Sequence, residues 1–119
     1  MTNELTTAEI ATFNTVAAKV NAIARSKGWH DTPRSVPDYV ALIHSEVSEL
    51  FEEYRDNGDT VETVLTSHSK PIGIPAELAD IMIRCMDMAN AMGINIGLAI
   101  AAKSAYNTTR EHRHGGKII

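Results

Sequence analysis

Two short motifs hold the residues best suited to chemistry: Glu46-x-x-Glu49 and Glu77-x-x-Asp80. Each sits in a run whose apolar residues repeat at helical spacing. Residues three apart on a helix lie on one face, so each pair projects to one side of its element. Two such helices packed together bring four carboxylates within a few ångströms. That many negative groups cannot share a site cheaply. They point into water, or a divalent cation sits between them.

Four helices must position them. Thr6-x-x-Glu9 has capping-box form, and an apolar periodicity then runs from Ile10 to Ala24, with Gly28 as its stop. Asn14 and Asn21, two turns apart on this helix, read as solvated. Ser35-x-x-Asp38, with Pro37 in the first turn, opens a second helix through about Arg55, closed by Asn57-Gly58. Pro75 opens a third that runs to Met92 and stops at Gly93. Asn95 caps a fourth, rich in alanine, through roughly Thr109. The connection from Asp59 to Gly73 is long and aperiodic, and Val61-Val64-Leu65 within it reads as one helical turn. Residues 110–119 read as an irregular tail, and no segment alternates like a strand. The expected architecture is all-α, a four-helix bundle-like single domain over 1–119.

Wheel arithmetic locates the acids. With Glu46 at zero, the apolar residues of the second helix fill an arc from about 20° to 140°, and Leu42 lies near 320°. Glu46 therefore falls inside the apolar span. Glu49 and Glu53 border it, while Glu52 faces away. With Glu77 at zero, the third helix repeats the design, and Asp80 lies near 300°. Solvated acids with local partners, Arg84 for Asp80 and Arg55 for its neighbours, are the plainer reading of either pair alone. If the fourth helix runs on past Thr109, Lys103, Asn107, Arg110 and His114 form a polar stripe, suited to the charge of a polyphosphate beside an acid-bound cation.

Composition excludes other classes. The chain is 44% hydrophobic and 22% charged, with a formal charge of −4, so no nucleic-acid polymer is expected as partner. The lone Cys85 forms no intrachain disulfide and reads as a small buried hydrophobe. No run of about 18 apolar residues indicates a membrane span, and no basic-then-apolar start indicates a signal peptide, so a cytoplasmic protein is expected.

Together these residues resemble the all-α nucleoside triphosphate pyrophosphohydrolases, the MazG-like group, in its short phage and bacterial form. The resemblance rests on Glu46-x-x-Glu49, 27 intervening residues, then Glu77-x-x-Asp80. The loop Gly28-Trp-His-Asp-Thr-Pro-Arg34, the spacing Lys103-x-x-x-Asn107-x-x-Arg110 and the closing His-Gly-Gly-Lys-Ile extend it over nearly the whole chain from Ala24. It implies Mg²⁺-dependent hydrolysis of a nucleoside triphosphate to the monophosphate and pyrophosphate, with Mn²⁺ as a substitute. It also implies Glu46, Glu49, Glu77 and Asp80 as metal ligands, with Glu49 or Glu53 as the assisting base. Lys103 and Arg110 would compensate phosphate charge, Asn107 would hydrogen-bond sugar or phosphate, and Trp29, His30 and Arg34 would approach the nucleotide. Homodimers or homotetramers are implied too, in keeping with the Met- and Ala-rich surface of the third and fourth helices.

Two rivals stand beside this reading. A di-iron bundle needs two Glu-x-x-His motifs, and only Glu111-x-x-His114 has that form. A non-catalytic helical metal-binding or interaction module needs nothing more than the acids themselves.

Overall fold

A computed structural model describes residues 3–119, and it is an all-α domain. Helix α1 spans Thr7–Ser26 and α2 spans Val36–Asn57. A two-residue hairpin, β1 (Val64–Leu65) and β2 (Pro71–Ile72), precedes α3 (Ile74–Ala91) and α4 (Ile96–Asn107). A four-residue turn, Arg113–Gly116, interrupts the tail.

Both expected capping boxes form. Thr6 and Ser35 each accept from the backbone N–H three residues on, and the Glu9 and Asp38 carboxylates accept from the cap N–H in return. These bonds favour the ionised acids and hold both carboxyls below their ordinary pKa.

The central element is α3, which packs on α1 along one side and on α2 along another. Helix α4 packs mainly on α1. Helix α2 packs on α3 and on no other helix among the described residues. That one-sided contact decides which part of the α2 apolar arc is covered. Tyr39 and Glu46 are buried, whereas Val40, Val47, Phe51 and Tyr54 are exposed, Phe51 at 59%. Leu78 and Met82 form the corresponding bare strip on α3. Cys85 belongs to that strip and is exposed, which corrects its reading as a buried residue. Sequence periodicity marks a whole apolar arc, and one neighbouring helix covers only part of it.

The connection before α3 departs from expectation. Val64 and Leu65 are extended, paired antiparallel with Ile72 and Pro71. Val61, Thr63 and Val64 are β-branched, which disfavours a helical turn. The Thr66 hydroxyl accepts from the backbone N–H groups of His68 and Lys70 and so holds the tight reversal. Helix α4 is shorter than expected. Thr108 and Thr109 turn their hydroxyls onto the carbonyls of Ala105 and Tyr106, a local alternative to helix continuation. Arg110 and His114 therefore lie beyond the helix, and the polar stripe on α4 ends with Asn107.

Gly97 fixes how closely α4 approaches α1. A Cβ there would collide with the Ile10 carbonyl oxygen. Beside it, Asn14 Oδ1 accepts from the Gly97 N–H at 3.0 Å, and Asn14 Nδ2 donates to Asn95 Oδ1 at 2.7 Å. Backbone cannot yield as a side chain does, so Gly97→Ala is expected to cost at least about 2 kcal/mol. Thermal melting should fall by roughly 8 °C. A loss under 2 °C would show that the helices separate freely.

Among the described residues no single helix is long and apolar enough to cross a membrane. Taken together, α3 and α4 pass that test, but they meet at a bend of 114°.

Candidate metal centre

The α2–α3 contact brings the two acid motifs together. Glu46, Glu77 and Asp80 each offer a carboxylate oxygen, and the three atoms lie within 4.8 Å of one another. Glu46 is 8% exposed, at the middle of the packed face of α2. Glu77 enters from the first turn of α3 and Asp80 from the next. Glu49 stands at the rim, exposed.

Electrostatics record the crowding. A hydrogen bond shared with Glu46 raises the Glu49 pKa, reinforced by the charges of Glu46, Glu77 and Asp80. Burial raises Glu77, and the charges of Asp80, Glu46 and Glu53 add to it. Burial also raises Asp80, with Glu46 adding, while Arg84 and Lys70 oppose. Each shift has the sign expected when negative charge gathers without enough positive charge nearby.

The donor set suits a hard divalent cation. All three ligand atoms are carboxylate oxygens, the type that Mg²⁺, Ca²⁺ and Mn²⁺ prefer. Glu77 Oε2 is buried and has no hydrogen-bond partner. Buried carboxylate oxygens are normally satisfied by donors or by a cation. No specificity among these ions is encoded in such a set.

Beside the acids lies a cavity of about 280 Å³. Glu46, Glu49 and Asp80 line one side, with Trp29, Arg84 and Asp87 around the rest, and Val20, Ile23, Ala24 and Ile83 supply apolar wall. The Arg84 guanidinium stacks over the Trp29 ring at 4.9 Å while its Nε donates to Glu46 Oε1 at 3.1 Å. The expected partner of Arg84 was Asp80, one turn away on the same helix. It reaches across to Glu46 instead.

The other candidate residues divide. Arg34 donates from Nε to the Trp29 carbonyl at 2.8 Å, with its guanidinium 5.7 Å from the ring centre. The His30 ring is turned onto Asp87, with Nε2 at 2.8 Å and 2.9 Å from its two oxygens. Asn21 donates to Asp87 Oδ1 at 2.8 Å and accepts from Arg25 Nε at 2.8 Å. Asn21 is thus a buried network member, contrary to its reading as solvated, and His30 serves to hold Asp87 at the cavity edge. Glu53 accepts from the Asn57 side chain and does not line the cavity. Lys103, Asn107 and Arg110 do not line it either. Lys103 and Arg110 gather instead around the Tyr106 ring, at 5.5 Å and 5.8 Å.

Sequence reasoning passed over Asp87 and Lys70. Asp87 follows Asp80 by seven residues and so shares its side of α3, a signal within reach of the wheel arithmetic. Lys70 lies in the aperiodic connection, where spacing carries no such signal.

No protein family model matches this chain, and no curated protein or solved structure matches it.

Proposed function

We propose that this chain binds a divalent cation between Glu46, Glu77 and Asp80, with Glu49 at the rim. The observation that carries this reading is the convergence of three carboxylate oxygens within 4.8 Å, one residue of which has a buried oxygen without a partner. Mg²⁺ is our choice of ion, with Mn²⁺ as its substitute.

The more specific proposal is hydrolysis of a nucleoside triphosphate to the monophosphate and pyrophosphate, in nucleotide-pool control or house-cleaning. The motif resemblance supports it, as does the cavity that adjoins the acids and carries an aromatic ring and a guanidinium. A divalent ion at such a site supplies screening of phosphate charge and activation of water. Among the chain's own residues, Glu49 is the proton acceptor, since it is an exposed carboxylate that lines the cavity beside the three proposed ligands. Glu53 is the second candidate for that role. Trp29 takes the base by stacking, beside Arg34, and His30 acts through Asp87. The roles of Lys103, Asn107 and Arg110 toward phosphate fall to a second copy, whose cavity they would approach.

Assembly is therefore part of the proposal. The exposed surface is 8805 Å², whereas a compact monomer of this mass exposes roughly 6,300 Å². The radius of gyration is 16.7 Å, against about 13.5 Å for a globular chain of this length. The bare apolar strips of α2 and α3 are the surface we assign to a second copy.

A second reading, a non-catalytic metal-binding module, is favoured by one observation: the cationic side chains of α4 and the tail lie away from the acid cavity. A panel of ribo- and deoxyribonucleoside triphosphates with Mg²⁺ separates the two. Pyrophosphate release from any of them supports the hydrolase. Metal binding without turnover of any supports the module.

A further inference from the structure

Arg84 holds an unusual place in this site. It is the cation that pairs with the most buried acid of the cluster, and it stacks on the only tryptophan. Its sole hydrogen bond among those described runs from Nε to Glu46 Oε1, which leaves the terminal nitrogens of a five-donor group unengaged by Glu46. We propose that Arg84 is a tethered counter-cation, which a divalent ion displaces from Glu46 and which then stays on Trp29 beside the cavity. The inference rests on the cation-site reading above and adds a regulatory step to it.

Glu46 is the group for which the two cations compete. Its side chain is 11% exposed and that of Arg84 23% exposed, so solvent screens this pair only in part. An ion coordinated by carboxylate oxygens sits about 2.0–2.6 Å from each. With the three ligand atoms within 4.8 Å of one another, such an ion would lie close to a guanidinium still bonded to Glu46. Repulsion between a doubly charged ion and that guanidinium exceeds the attraction of a single ion pair over similar distances. The two cations therefore compete for Glu46.

Displacement need not unfold anything. Arg84 is anchored on α3 and its guanidinium already lies 4.9 Å from the Trp29 ring centre, where cation–π attraction persists after the bond to Glu46 is broken. The cavity next to it offers room for a small swing. The consequence is coupling: cation entry frees Arg84 Nε and its charge from Glu46, which completes the set of donors whose fork geometry suits phosphate and carboxylate groups. The apo site is kept partly neutral, and in the loaded site the guanidinium that already lines the cavity is no longer paired with Glu46.

The test uses the full chain, treated with EDTA and titrated with MnCl₂. Calorimetry measures binding while tryptophan emission reports the surroundings of Trp29. In the parent, emission should change with the same midpoint as the heat. Arg84→Met should bind Mn²⁺ about tenfold more tightly, because the competing charge is gone, and its emission should no longer respond. Arg55→Met, which breaks the exposed pair with Glu52, should behave as the parent in both readouts. If Arg84→Met does not fold by circular dichroism, Arg84→Gln removes the same charge and carries the same expectation. A neutral variant that binds Mn²⁺ no more tightly than the parent overturns the proposal. So does an emission change that persists without Arg84. Absence of heat in the parent overturns the cation site itself, a failure distinguishable from either of these.

Discussion

Glu49→Gln is expected to lower the rate of pyrophosphate release by about a hundredfold or more, the usual contribution of a positioned general base. The substitution keeps the size of the side chain and removes its negative charge, and with it the ability to take a proton or to ligate a cation strongly. Glu49 is exposed and lies at the rim, so the helices should be undisturbed. Its raised pKa comes from the hydrogen bond with Glu46 and from three neighbouring negative charges, and those same neighbours are the ligands proposed for the cation. The assay therefore needs a second readout. If Glu49 acts mainly as base, the apparent Mg²⁺ requirement should shift little while turnover falls. If it acts mainly as ligand, the Mg²⁺ requirement should rise steeply and excess Mg²⁺ should restore turnover. Unchanged turnover would remove Glu49 from the mechanism.

Phe51→Asp combined with Met82→Asp is expected to break the proposed assembly into single chains. Both residues are more than half exposed, at 59% and 54%, on the strips of α2 and α3 that the described residues leave bare. The surface exceeds that of a compact monomer by roughly 2,500 Å², more than the roughly 1,000 Å² that a specific interface requires. Each new carboxylate would have to be desolvated at the interface without a partner, which strongly disfavours association. Sedimentation should show the parent as a dimer or larger and the double variant as a monomer with its helices retained. A parent that sediments as a monomer at micromolar concentration would contradict the assignment of this surface.

Much of the fold was legible because its signals are local. Thr6, Ser35 and Asn95 cap where their side-chain chemistry says they should, and Gly28, Gly58 and Gly93 mark helix ends at positive φ. The convergence of Glu46, Glu77 and Asp80 followed from matching positions on two helices that had to pack. What escaped depended on how many neighbours each helix has. A single-chain pattern could not show that, among the described residues, α3 is the only helix α2 packs on, so Cys85 read as buried and the α2 arc as one uniform apolar face. Nor could it show that Arg84 would prefer Glu46 across the interface to Asp80 on its own helix. The polar stripe was drawn too long for a smaller reason. Thr108 and Thr109 end α4 through their own hydroxyls, and that moves Arg110 off the stripe that continuous helical spacing would give it.

The central claim is a cation held by the α2–α3 acids, and direct binding tests it most simply. Calorimetric titration of the EDTA-treated chain with MnCl₂ should give a saturable heat with the parent, and none with Glu77→Gln or Asp80→Asn, each folded by circular dichroism. Parent protein that takes up no Mn²⁺, or variants that bind it as the parent does, would contradict the account.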